Sequence, residues 1–287
     1  MQIRVPASSA NFGPGFDSIG VALKQYLNLA VLEPTTTWEV EHDLPHVPHN
    51  EQNLIIKAAL TVEPTLPPHH LLVQSKIPLA HGLGSSSTAI VAGIELANQL
   101  ASLKLTSMEK VQLAAQIEGH PDNVAPAILG GVVIGTSLKD QFITYQVPTP
   151  PFTFLAYVPK NNLATSVSRA VLPSQIERSV AVRGSSIANA LVAALFSRQY
   201  EMIGPLIEGD QFHEAARAKL VPELAMIRQI GHEVGAIATY LSGAGPTVMT
   251  LIAPHLMPAF QNRLLQANLT APLLELAVDQ NGVMVTV

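Results

Sequence analysis

The chain has 287 residues, 48% of them hydrophobic and 13% charged, with a formal net charge of −5. Such a composition describes a globular chain long enough for about two domains and argues against disorder or non-specific nucleic-acid binding. With no cysteine there are no disulfides, thiolate metal sites or cysteine nucleophile. No signal peptide and no membrane span are expected, so the default location is cytoplasmic.

Gln2 to Val5 reads as a strand running into Pro6-Ala-Ser-Ser-Ala-Asn-Phe-Gly-Pro-Gly-Phe-Asp-Ser-Ile-Gly20, a loop that holds Asn11, Gly13, Gly15 and Asp17. Asp17 suits a cationic amine, although an Asx turn between strands explains the same residues. Two proline-rich stretches, Asp43 to His49 and Glu63 to His69, end regular structure. His70 to Ser75 reads as a strand entering Pro78-Leu-Ala-His-Gly-Leu-Gly-Ser-Ser-Ser-Thr-Ala89. Beyond it Ile90, Ile94, Ala97 and Ala101 recur at helical spacing, which starts a helix at Ser86 or Ser87. Glycines ahead of a helix N-terminus let backbone amides approach an anion, and the serine hydroxyls add donors. No Gly-x-x-x-x-Gly-Lys-Ser/Thr, Rossmann fingerprint or Gly-x-Ser-x-Gly elbow is present. The stretch is therefore either a lysine-free polyphosphate cradle or a plain serine-capped helix.

Thr106 and Glu109 form a capping-box pattern that opens a helix through about Glu118. Glu118 shares a face with Val111, Ala114 and Ala115 and opposes the helix dipole, two penalties that a divalent cation or an arginine would relieve. His120, Asp122 and Asn123 follow in a proline-broken turn. Val147 to Pro151 is the candidate domain boundary, and Phe152 to Val158 restarts with a strand. Arg169, four residues after Thr165, and Arg217 suit carboxylates, although single arginines commonly just decorate a surface. Ser185 to about Ile207 reads as helical, and Ala236 to Leu241 and Thr247 to Ile252 as strands joined by Ser242 to Pro246. Asn281-Gly282 predicts that the last strands pair as a hairpin.

Taken together, these stretches resemble the GHMP kinase superfamily over essentially the whole chain. Pro78 to Ala89 resembles its central ATP-binding motif, and Ser242-Gly-Ala-Gly-Pro-Thr247 its third, glycine-rich one. The opening loop and Asp122-Asn-Val-Ala-Pro-Ala127, followed by Gly130-Gly131, are similar to the homoserine-phosphorylating branch rather than to sugar or mevalonate kinases. One departure is the single glycine between Glu118 and His120, where other members of that branch have several residues.

The resemblance implies an α+β, two-domain GHMP kinase fold. Residues 1–150 would form an N-terminal, ATP-binding domain like ribosomal protein S5 domain 2, and 151–287 a ferredoxin-like C-terminal domain. It implies ATP on Pro78, Leu79, Ala80, His81, Gly82, Leu83, Gly84, Ser85, Ser86, Ser87 and Thr88, with Mg2+ on Ser86 and Glu118. The substrate, L-homoserine, would lie against Asn11, Asp17, His120, Asn123, Thr165, Arg169, Arg217 and Gly243. Glu118, Ser86, Asp122 and Asn123 are the catalytic candidates. Asp122 is the nearest carboxylate for a general base, yet the branch implies a hydroxyl that attacks without one. By analogy the protein is a homodimer, with no nucleic-acid or membrane partner. The alternatives are a GHMP kinase for another small alcohol and an inactive relative that only binds a ligand.

Overall fold

The computed structural model describes residues 1–286. Two long antiparallel strands, β1 (Gln2–Ala10) and β2 (Ile19–Pro34), open the chain. β3 (Glu39–Glu41), α1 (Leu54–Val62) and β4 (His69–Ser75) follow, then three helices, α2 (Ser85–Leu100), α3 (Ser107–Glu118) and α4 (Val124–Leu129). A hairpin, β5 (Val132–Leu138) and β6 (Gln141–Val147), leads to β7 (Thr153–Tyr157), α5 (Thr165–Ala170), α6 (Arg178–Ser197), α7 (Ile203–Ile207) and α8 (Glu214–Arg217). The chain continues through α9 (Glu223–Val234), β8 (Ala238–Leu241), β9 (Val248–Ile252), α10 (Met257–Gln266), β10 (Leu273–Leu276) and β11 (Met284–Thr286).

These strands make two sheets. The first has seven strands in the order β11-β1-β2-β4-β3, with β5 also on β2 and β6 on β5; the second runs β10-β7-β9-β8. Leu27 and Leu29 of β2 are buried while Asn28 between them is exposed, the period-2 pattern of a sheet with one dry face. Onto that face α2 packs Ile90, Val91, Ile94 and Ala97. The second sheet is dry on both faces. Phe154, Ala156, Tyr240, Met249 and Leu251 join the core shared with the first sheet. Leu155, Tyr157, Leu241, Val248 and Ile252 pack instead on Leu224 and Ile227 of α9 and Phe260 and Leu264 of α10.

An open sheet edge invites pairing with other chains, and at β8 carboxylates cover it. Thr239 N–H donates to Glu208 Oε1 at 2.7 Å and Leu241 N–H to Glu214 Oε1 at 2.7 Å. Arg228 Nη2 neutralises Glu214 at 2.6 Å.

The structure differs from the sequence expectations in four places. β1 runs on to Ala10 through a bulge at Pro6/Ala7, past the span that β11 pairs, so the proline's missing donor is tolerated. α6 starts at Arg178, not Ser185, and ends where Arg198 turns to φ 58; a short 3-10 turn then leads to α7. By length and composition α6 could cross a membrane, with a mean hydropathy of 1.4 over its best window. Its Gly184, Leu191, Ala194 and Leu195 are buried in the protein. Finally, β10 and β11 do not pair with each other: β10 lies on β7 and β11 on β1. Asp279 Oδ1 accepts from the N–H groups of Asn281 (2.9 Å) and Gly282 (2.8 Å), an Asx turn that sends the chain from the second sheet back to the first.

Candidate active site

The glycine loop sits between the end of β1 and the β8–β9 connection, and close approach dictates its glycines. A Cβ on Gly82 would lie 2.2 Å from Ser242 O, and one on Gly84 2.2 Å from Ser8 Oγ; both residues hold φ near +70°. Ser242 Oγ donates to Gly82 O at 2.6 Å, and Ser9 and Ser242 hydroxyls bond at 2.7 Å. Gly243 N–H donates to Ala10 O at 3.1 Å. Three stretches far apart in sequence thus form one backbone knot. Gly84 caps α2 without a side-chain hydrogen bond, so the first N–H groups of a 16-residue helix face outward, a geometry that attracts anions.

A cleft of about 210 Å³ opens over that helix end. It brings together Ala80, Gly82, Gly84, Ser85, Ser86 and Ser87 of the glycine loop with Glu118, His120, Asp122 and Asn123 from the end of α3 and the turn after it. Asn11, Asp17, Thr165, Arg169, Arg217 and Gly243 complete its far wall. Five residues of the expected ATP stretch do not line it. Pro78 lies before the turn, Leu79 faces a second cavity and Leu83 is in the core. Thr88 Oγ1 donates to Ser85 O, and the His81 ring bonds Leu79 O and Pro159 O, so these two brace the loop. The second cavity, about 220 Å³, is mostly apolar, is lined by Leu27, Leu54, Ile55 and Val73 among others, and shares Ser85 and Ser86 with the first.

Burial is the main influence on Glu118 and raises its pKa, partly offset by His120 and by Ser87 Oγ, which donates to Oε1 at 3.1 Å. The hydroxyl that reaches Glu118 is therefore that of Ser87, while Ser86 is exposed between the two cavities. Burial pulls His120 downward, but its hydrogen bond to Asp122 and the charges of Asp122, Asp17 and Glu118 outweigh it and raise its pKa. Asn123 Oδ1 accepts from Ser8 Oγ at 2.9 Å. Asn11 Nδ2 donates to Gly243 O at 3.1 Å, and its Oδ1 accepts from Asp17 N–H at 3.2 Å. Asp17, His120 and Asp122 bring ligand atoms within 4.8 Å of one another, but Arg169 already occupies Asp17. Arg217 is buried, and desolvation together with Arg169 lowers its pKa to about 10.

Besides Ala10, Leu163 and Ala244, which also line the cleft, two residues that hold the arginines were not anticipated. Phe16 lines the cleft, with Arg169 5.6 Å and Arg217 5.4 Å from its ring centre. His213 stacks on Phe16 at 5.3 Å and contacts Arg217. The signals were there: Phe16 adjoins Asp17, and His213 is four residues from Arg217, hence on the same helical face.

Comparison with known proteins shows the family. Family models for the GHMP kinase N-terminal domain and C-terminal domain match residues 53–131 and 191–268. The chain belongs to the GHMP kinase family. Within it, the chain falls among the homoserine kinases: it is 57% identical over 286 residues to the homoserine kinase of Limosilactobacillus fermentum, covering 100% of both chains. A Listeria monocytogenes structure assigned as a homoserine kinase superposes with a TM-score of 0.88 at 43% identity, over 99% of this chain and 98% of that one. The homoserine kinase structure from Cytophaga hutchinsonii gives a TM-score of 0.86 at 26% identity, over 100% and 97%.

Proposed function

We propose that the protein transfers the γ-phosphoryl group of ATP to the side-chain hydroxyl of L-homoserine, yielding O-phospho-L-homoserine for threonine biosynthesis. One observation carries this reading. A single cleft has the open N-terminus of α2 at one end and, at the other, a carboxylate and two guanidinium groups suited to an amino-acid zwitterion.

Phosphoryl transfer asks for positioning and charge neutralisation more than for covalent chemistry. The polyphosphate would lie on the N–H groups of Gly84 to Ser87, with the nucleoside in the adjoining apolar cavity. The donor set fits Mg2+: among the described residues no ammonium or guanidinium is bonded to the half-buried Glu118 carboxylate, and the serine hydroxyls beside it are hard oxygen ligands. Bound on Glu118 with Ser86 or Ser87, the ion would neutralise charge on the phosphate oxygens. Asp17 would hold the substrate ammonium, and Arg169 and Arg217 its carboxylate. Asn11, His120 and Asn123 would orient the hydroxyl, and Thr165 and Gly243 would wall the substrate in. The hydroxyl would attack without a strong base, its proton passing to a phosphate oxygen.

We assign residues 1–150 to ATP binding and 151–287 to the C-terminal domain; the loop from Val147 to Pro151 joins the two sheets, which supports the division. We infer a cytoplasmic homodimer, and the exposed Val182 and Phe196 on α6 support an interface there. Coupled ADP release with L-homoserine, D-homoserine and mevalonate tests the reaction. Mg2+-dependent turnover of L-homoserine is expected; turnover of mevalonate alone, or binding of homoserine without turnover, contradicts it.

A further inference from the structure

Asp17 and Arg169 are assigned above to opposite ends of a zwitterion, yet in the structure they hold each other. Arg169 Nη2 donates to Asp17 Oδ1 at 2.6 Å and Nη1 to Oδ2 at 3.1 Å, a two-bond fork that uses both carboxylate oxygens. The pair is built into the loop. Asp17 sits at φ 55, a costly conformation for a residue with a Cβ, and Asn11 Oδ1 holds its N–H. The Phe16 ring lies against both Arg169 and Arg217 and fixes them to one wall. Arg217 spends Nε on Ser168 O, and Nη1 on Gly243 O and His213 Nδ1. An arginine can only donate, so His213 Nδ1 accepts and its proton lies on Nε2, which donates to Gly13 O at 3.0 Å. Among the described residues, Arg217 Nη2 has no hydrogen-bond partner. Among the described residues, the two guanidinium groups therefore leave one terminal Nη without a partner, and it is available to an incoming carboxylate.

Each member of the pair is the chemical image of one end of the substrate. Asp17 occupies Arg169 as an α-carboxylate would, and Arg169 occupies Asp17 as an ammonium would. We infer that the Asp17–Arg169 pair stands in for the zwitterion, and that substrate enters by exchange. The ammonium replaces Arg169 on Asp17, while the carboxylate replaces Asp17 on Arg169 and takes the free nitrogen of Arg217. Counting charges then gives the selectivity. A zwitterion opens one pair and closes two. An anion without the ammonium strands Asp17 in a cleft that also holds Glu118 and Asp122, and a cation without the carboxylate strands Arg169 beside Arg217. The side chains of Asp17 and Arg169 remain 33% and 38% exposed, so water keeps the pair weak enough to open. Molecules with one of the two charges are thus rejected by a competitor inside the protein, beyond the contact they lack. The inference rests on the homoserine reading above.

Calorimetric titration of L-homoserine, 4-hydroxybutanoate (no ammonium) and 3-amino-1-propanol (no carboxylate) tests it. Asp17→Asn is expected to bind 4-hydroxybutanoate about tenfold more tightly than wild type, while losing about tenfold or more for L-homoserine. Arg169→Gln should give the reciprocal gain for 3-amino-1-propanol. Asp122→Asn removes a negative charge from the same cleft without freeing Arg169, so its gain in 4-hydroxybutanoate affinity should be several-fold smaller than that of Asp17→Asn. An equal gain in Asp122→Asn and Asp17→Asn would reduce the effect to the general field and overturn the exchange. So would the absence of a gain in a variant that melts like wild type, and if one variant does not fold, the reciprocal one decides. Failure of the gains with homoserine turnover intact removes the exchange alone. Gains in a protein that phosphorylates a different zwitterionic alcohol remove the homoserine reading alone.

Discussion

Asp122 shows how a residue's surroundings decide its chemistry. It is 2% exposed, and its Oδ1 accepts from His120 Nδ1 and, at 3.4 Å, from Asn123 Nδ2. An oxygen that already accepts from two neighbouring side chains is engaged in positioning them. Asp122→Asn keeps the shape and one acceptor oxygen, so kcat is expected to fall by less than about tenfold. Loss of a true general base costs roughly 10²–10⁴-fold. Steady-state kinetics with coupled ADP detection check this, and a drop of about 10³-fold or more in kcat would make Asp122 the base. Of the residues that the sequence picked out here, Asn11, Asp17 and Gly243 hold positive φ, and Glu118, His120 and Asp122 adjoin Gly119 or Pro121. Phe16 and His213 escaped because an aromatic ring and a helical histidine look like ordinary packing until the arginines they hold are placed in space.

At the scale of elements, the site depends on where α2 ends, and a buried ion pair fixes α2 against α3. Glu95, 2% exposed, forms an ion pair with Lys110 Nζ at 2.6 Å and accepts at Oε1 from the Asn98 and Gln99 amides. Burial alone would raise the Glu95 pKa, but the Lys110, Gln99 and Asn98 bonds more than offset it and hold it below the usual range. A depressed folded pKa contributes stability that is complete above the ordinary glutamate range and is lost as pH falls through the lower folded value. Lys110→Met strands a buried carboxylate, so it is expected to destabilise the protein by about 3 kcal/mol at neutral pH. The deficit should narrow in acid, where the stranded Glu95 is neutralised. Urea denaturation at about pH 7 and pH 4.5 measures both; a deficit independent of pH would assign the loss to packing instead of charge. The Thr106–Glu109 box that starts α3 was legible because it is a local pattern, and it forms as read. The Asn281-Gly282 turn was misread for the converse reason. A tight turn looks the same whether its flanking strands meet or part, and only the remote register of Gln2 with Thr286 decides between them.

For the whole molecule, what was legible was the set of glycine-rich stretches; what was not was how two sheets bring them together. The knot of Ser8, Gly82, Gly84 and Ser242 joins residues separated by up to 234 positions, through hydroxyl and backbone contacts that no sequence window contains. Because the knot draws on both sheets, a ligand seated on it is coupled to the folding of the whole chain. A nucleotide at about 100 times its Kd stabilises the folded state by about 2.7 kcal/mol. For a chain of this size that corresponds to a rise in Tm of about 4 °C. Gly84→Ala forces a Cβ against Ser8 Oγ at a φ that disfavours any side chain, a cost of about 1–2 kcal/mol, so its unliganded Tm should drop by about 2–3 °C. It also displaces the N–H groups at the start of α2, so the rise with a non-hydrolysable ATP analogue and Mg2+ should disappear in the variant. Thermal melts of both proteins, with and without the analogue, make the comparison. A full-sized rise in Gly84→Ala would mean that the phosphates are held somewhere other than the N-terminus of α2.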